Sequence, residues 1–260
     1  MNVEPELRWS GWNTLSAALS IVLIPVVAWI ATVRHHPLWG WLAVAVLLVV
    51  FASVAGRAIV GCWRGIVIDS RNVISLSRFQ MVLWTAIVLS AYVAAALYNV
   101  YTGVDEPLGI QVPGQMWLLM GISTTSLVGT PLILSQKTEK KASDEAFSDT
   151  KALLAAQGFT LDDTKALGQI IGNTRPQLAR WSDMFTGDET SNGAHLDLAK
   201  LQMFFFTIVI AISYCAALWH MFTHAQPDGL TTFPPLDQSI VALIGISHAG
   251  YLVNKAVPRP

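Results

Sequence analysis

The chain has 260 residues, 53% of them hydrophobic and only 13% charged, with a mean hydropathy of +0.50. Soluble domains carry about 25% charged residues, so the composition excludes an ordinary soluble domain and places the long apolar runs in lipid. The formal net charge of −1 gives no reason to expect a nucleic-acid partner.

The N-terminus opens with Glu4 and Glu6 rather than a basic stretch, and the apolar run that follows is long and carries Pro25. It reads as a retained first span, not a cleaved signal. Six apolar segments follow in order, at 12–33, 38–60, 78–101, 116–135, 199–223 and 237–256. Each is close to the ~20 residues that cross a bilayer as a helix. Trp12, Trp39, Trp41, Trp63, Trp117 and Trp219 stand near segment ends, where an aromatic belt belongs. Cys62 and Cys215 lie in or beside apolar runs without metal-ligand spacing and read as reduced packing residues.

With the N-terminus inside, 15 of the 16 basic residues fall on cytoplasmic segments and span ends, leaving only Arg34 outside. Retention of positive charge in the cytoplasm therefore predicts six spans with both termini inside. Arg57, Arg64, Arg71 and Arg78 recur every seven residues around the second connection and read as an anchor for anionic lipid. The external connections 102–115 and 225–236 hold no Lys or Arg. They are rich in Gly and Pro, and acidic Asp105, Glu106, Asp228 and Asp237 lie in or beside them.

The one sizeable polar piece is 136–197, where 144–157 and 161–171 have helical spacing of Ala and Leu. It is too short and charged to bury a large core, and a small cytoplasmic helical insert is expected. The tract Asp183–Glu189 lacks the ligand alternation of a calcium loop and reads as solvated.

A duplication underlies the second half. Leu76-Ser77-Arg78-Phe79-Gln80-Met81 recurs as Leu198-Ala199-Lys200-Leu201-Gln202-Met203 at an offset of 122, and Gly121-Ile122-Ser123 recurs as Gly245-Ile246-Ser247 at 124. The expected fold is an all-α membrane protein of six transmembrane helices. Its parts are a two-helix hairpin with a basic connection (1–75), repeat 1 (76–135), the insert (136–197) and repeat 2 (198–260). Both repeats enter from the cytoplasm and return to it, so they run parallel.

The tract Arg180-Trp181-Ser182-Asp183-Met184-Phe185, the run QMFFFT at 202–207 and the stretch GISHAGYL at 245–252 look similar to an uncharacterised family of bacterial inner-membrane proteins. The resemblance covers the C-terminal third to half of the chain. It implies a location in the bacterial inner membrane and carries no activity.

Several residues qualify for chemistry. On the fourth span, Ser123, Ser126 and Thr130 form a polar face, and Gly121, Thr125 and Gly129 form a small-residue face that admits a second helix. On the sixth, Ser247, His248, Tyr251 and Asn254 make a polar stripe, with Gly245 and Ala249 as its small-residue counterpart. Such groups either bond neighbouring helices or line a pore, and an ionisable residue at mid-membrane is a functional candidate by default. Gln80 and Gln202 either bridge helices or line an inner mouth, while Arg78 and Lys200 beside them snorkel to the interface. HExxH, GxSxG, GxGxxG and P-loop patterns are all missing from the sequence. No catalytic residue, cofactor or metal ligand set is therefore expected.

Three readings remain open: a homo-oligomeric channel passing cations between acidic external loops, a non-catalytic anchor docking a cytoplasmic protein through 136–197, and a small-solute transporter. The lipid bilayer is a partner in all three.

Overall fold

A computed structural model of the chain describes residues 10–160 and 162–257. The expectations resting on Glu4, Glu6, Arg8 and Arg259 lie outside the described residues. Among those described, seven α-helices dominate: α1 Gly11–Val33, α2 Pro37–Val60, α3 Leu76–Thr102, α4 Gly114–Thr138, α5 Asp144–Ala156, α6 Leu198–Thr223 and α7 Gln238–Ala256. Five of them, α1 to α4 and α6, are long and apolar enough to cross a membrane. The sixth apolar segment is also a helix, the 19-residue α7.

Local chemistry sets the helix ends. Ser10 caps α1 by accepting from the Asn13 N–H. Pro37 starts α2 at a position that needs no N–H, and Gly61 ends it in a left-handed conformation (φ 83°). The chain beyond Gly61 then turns back onto α2. A Cβ on Gly56 would stand 2.7 Å from the Ile66 nitrogen, so only glycine allows this approach.

The chain divides into two compact units. The first comprises residues 1–66, 82–118 and 209–238. Its interior is aromatic: Trp41 stacks on Phe222 at 5.6 Å between centroids, and Trp84 meets Tyr214 edge-on at 6.4 Å. Trp41 is therefore a core residue rather than part of an interfacial belt, whereas Trp12, Trp39, Trp63, Trp117 and Trp219 are exposed. The two connections rich in Gly and Pro are tied together. Gln111 pairs in parallel with Thr232, and the amide of buried Asn99 donates to the Pro107 and Leu230 carbonyls while its oxygen accepts from the Leu230 N–H. Asp105, Glu106, Asp228 and Asp237 are exposed around them.

The second unit comprises residues 67–81, 119–208 and 239–260. Its polar piece is only partly helical. Residues 144–156 form α5, but of the expected second helix at 161–171 the described residues, 162–171, are not helical. Instead, β1 Thr164–Leu167 pairs antiparallel with β2 Ile170–Asn173. Gly168, at φ 60°, supplies the left-handed turn between them, and β2 is buried throughout, a burial that the Ala/Leu spacing did not reveal. The α2–α3 connection is zipped to this hairpin: Asn72 and Asn173 exchange amide-to-carbonyl bonds of 3.0 and 2.9 Å, and the Asn173 N–H donates to the Arg71 carbonyl.

Candidate functional site

The helices in the second unit meet along seams of regular spacing. On the part of α4 in this unit the buried positions are Leu119, Ser123, Ser126, Thr130, Leu134 and Lys137. This alternation of three and four residues keeps one stripe facing inward. On α7 the corresponding stripe is Val241, Ile244, Ser247, His248, Tyr251 and Lys255. Apolar at one end, the seams become polar and then charged towards the polar piece.

At the charged end sits Asp188. Its Oδ1 accepts from Arg71 Nη1 at 2.7 Å and Lys200 Nζ at 2.8 Å, and its Oδ2 faces Lys255 Nζ at 2.9 Å. Arg71 is held in turn by Asp69, whose Oδ2 accepts from both Nε at 3.0 Å and Nη2 at 2.9 Å while its Oδ1 accepts from the Arg71 backbone N–H at 2.9 Å. Beside them Lys137 Nζ donates to Glu189 Oε1 at 2.8 Å and to the Lys255 and Val257 carbonyls at 2.6 and 2.9 Å. Lys137 thus satisfies carbonyls that the end of α7 leaves open. Lys200 reaches the Thr186 carbonyl as well. Four cations meet three carboxylates, all but Asp69 buried.

The electrostatics follow from this geometry. Burial opposes ionisation of Asp188 most strongly, but Lys200, Lys255 and Arg71 together outweigh it and hold the carboxyl well below the usual carboxylate range. Burial likewise opposes the Arg71 charge, and Asp188 and Asp69 outweigh it, so the guanidinium stays firmly protonated. Asp183 behaves in the opposite way. Its burial prevails over the N–H groups of Arg180 and Ile74, and its carboxyl is raised.

Several expectations change here. The tract Asp183–Glu189 is not solvated: Asp188 and Glu189 are buried at the centre of the cluster. Arg71 is no lipid anchor, since its guanidinium is committed to two carboxylates. Lys200 does not snorkel outward but ends on Asp188, and Arg78 Nη1 donates to the Ile68 carbonyl. The regular spacing of these basic residues carried no sign that acidic partners far along the chain would neutralise them.

The polar faces of α4 and α7 do come together. Ser126 Oγ and His248 Nδ1 share a 2.6 Å hydrogen bond, and Thr130 Oγ1 and Tyr251 Oη one of 3.2 Å. Ser123 and Ser247 are buried, while Asn254 is half-buried with its amide 3.4 Å from Asp197. The two glutamines part company. Gln80 is buried and bridges α3 to α6 through Thr207 Oγ1 at 2.6 Å, whereas Gln202 is exposed. Of the small-residue positions, Gly121, Thr125 and Ala249 are exposed, Gly129 faces Leu252 and Gly245 faces Ile122.

The arrangement is suited to locking segments together and to holding or passing protons. Among the described residues no group of three or more His, Cys, Asp or Glu side chains could hold a metal ion. No protein family, curated protein or solved structure matches the chain.

Proposed function

We propose that the chain is an integral protein of a bacterial inner membrane that anchors a cytoplasmic protein through the segment 136–197. In this reading α7 is a sixth span and both termini are cytoplasmic. The observation that carries it is the Asp188 cluster: one buried carboxylate fastens the segment to side chains of the α2–α3 connection, α6 and α7. A solvated loop needs no such clamp. A platform that holds a partner in a fixed position does, and Trp181 and Leu153 on this segment are exposed.

Helix boundaries support the parallel repeat. Both α3 and α6 begin on the aligned Leu76 and Leu198, and α4 and α7 begin at Gly114 and Gln238, again 124 residues apart. Divergence since duplication accounts for the different surroundings of Gln80 and Gln202.

A periplasm-active reporter fused after Ser143 is expected to be silent and one fused after Gly109 active; the reverse pattern overturns the orientation. A photo-crosslinking residue at position 181 is expected to give one discrete cytoplasmic adduct that Asp188→Asn abolishes. No adduct, or one indifferent to Asp188, overturns the anchor.

The second reading is a cation pore between copies of the chain. It is favoured by the exposed Gly121 and Thr125 on α4 and by the four exposed acidic residues of the external connections. Cation flux from purified protein in liposomes decides for it, since an anchor gives none.

A further inference from the structure

The first unit carries an open groove between α2, α3 and α6, with a volume of about 710 Å³. That lies inside the ~300–1,000 Å³ typical of small-molecule sites. Twelve residues line it, and nine of them are aliphatic. Its α2 wall is regular: Trp41, Ala45 and Val49 stand four residues apart, with Leu42, Val46 and Val50 beside them. Ala45, Ala86 and Ala216, one from each helix, make the hollow, because their side chains stop at Cβ while their neighbours continue. Trp41 and Trp219 stand at the same end, since Trp41 stacks on Phe222 one turn from Trp219.

The length of the groove matches one leaflet. From Trp41 to Val50 the α2 wall rises nine residues, ~14 Å at 1.5 Å per residue. Half of a hydrocarbon core is ~15 Å. The groove opens four residues inside the Pro37 end of α2 and stops near the middle of that 24-residue helix.

Its chemistry selects the occupant. Water needs two to four polar partners, but the only polar side-chain atoms on the lining residues are the Cys215 thiol and two indole nitrogens, and that of Trp41 is buried. Left empty, the walls would forgo dispersion contacts. A helix from a second copy is too thick: 14 Å of a cylinder 10–12 Å across takes ~1,100–1,600 Å³. A single hydrocarbon chain is narrow and flexible enough to follow the groove.

We propose that this groove binds one acyl chain of a membrane phospholipid, taken from the leaflet that holds the Pro37 end of α2. The chain runs from Trp219 towards Val50. Its glycerol and headgroup stay at the interface, beside the exposed rings of Trp39 and Trp219. The site rests on the membrane location of the chain and is independent of the anchoring role and of orientation.

The test uses the full chain in vesicles of phosphatidylethanolamine and phosphatidylglycerol, with a minor fraction of phosphatidylcholine carrying a diazirine in mid-acyl chain. After illumination, mass spectrometry locates the lipid adducts. Labelling of Ala45, Val49 and Cys215 is expected to saturate at a low fraction of the probe and there to exceed tenfold that of Leu15, Val22 and Val26, which are exposed on α1. The α1 labelling should instead rise in proportion to the probe. Ala216→Phe fills the hollow from its exposed rim and is expected to cut groove labelling tenfold with α1 unchanged. Ala45→Leu serves if that variant does not fold. Groove labelling that rises in proportion, or that survives the filling substitution, overturns the proposal. So does a crosslink between two copies through Cys215 in place of the lipid adduct. Labelled α1 beside an unlabelled groove refutes the site alone, whereas loss of labelling on both refutes the membrane location and the site with it.

Discussion

The two units solve the same problem, polar atoms buried in an apolar chain, with different chemistry. In the first, the main polar device is the neutral amide of Asn99, which pairs with backbone groups of both connections rich in Gly and Pro. Around it the packing is aromatic and aliphatic. In the second, four cations and three carboxylates are gathered into one cluster, with Asp188 shared among three of the cations. A neutral amide costs less to bury than a charge, and its loss strands only neutral backbone groups. An ionic cluster is tolerable only while complete, because each remaining charge would otherwise be stranded in low dielectric.

That contrast is broken most severely by Asp188→Asn. The substitution keeps shape but leaves Arg71, Lys200 and Lys255 without their shared carboxylate. Breaking a buried pair typically costs about 3–5 kcal/mol, and the variant is expected to unfold at distinctly lower denaturant. A near-native midpoint would mean that solvent already screens the cluster. Asn99→Ala is the matching change in the first unit. It strands the Leu230 N–H and two carbonyls, at about 1–3 kcal/mol, with no added dependence on pH. A loss as large as that of Asp188→Asn would erase the distinction between the units.

Acidification sharpens the comparison within the second unit. Asp188 has a folded value lowered below the usual 3.8, so its contribution is complete above that value and disappears as pH falls below it. Asp183 has a folded value raised above 3.8, so folding holds its proton more tightly and its contribution grows as pH falls through that raised value. Melting curves are therefore expected to show a small gain on mild acidification, followed by a steep loss below the carboxylate range. Asp183→Asn should abolish the gain and Asp188→Asn the loss. If Asp188→Asn instead keeps the steep loss, another carboxylate governs it.

The smallest effect is expected at Gly121. A Cβ there meets nothing within 4 Å, so Gly121→Leu should leave the isolated chain within about 0.5 kcal/mol of its native stability. A large loss, or a change in particle size in detergent, would show that this face packs against another copy.

Hydropathy alone placed the six long helices, because apolar runs of span length have few alternatives to helix in lipid. The small outward face of Gly121 and Thr125 and the inward polar face of Ser123, Ser126 and Thr130 were likewise separable by helical period. Only the tertiary structure decided which charges are buried. Asp188 lies 117 residues from Arg71 and 67 from Lys255, and no local spacing announces an ion pair across such distances. In the sequence the acidic tract and the basic span ends each look solvated. Only folding brings them close enough for their attraction to outweigh the loss of water. The β-hairpin escaped for a related reason: Ala and Leu suit a helix locally, while Gly168 and the buried environment of β2 favour a turn and a strand. That the alanines of α2, α3 and α6 meet in one groove was also a matter of side-chain placement across helices, which composition and period do not encode.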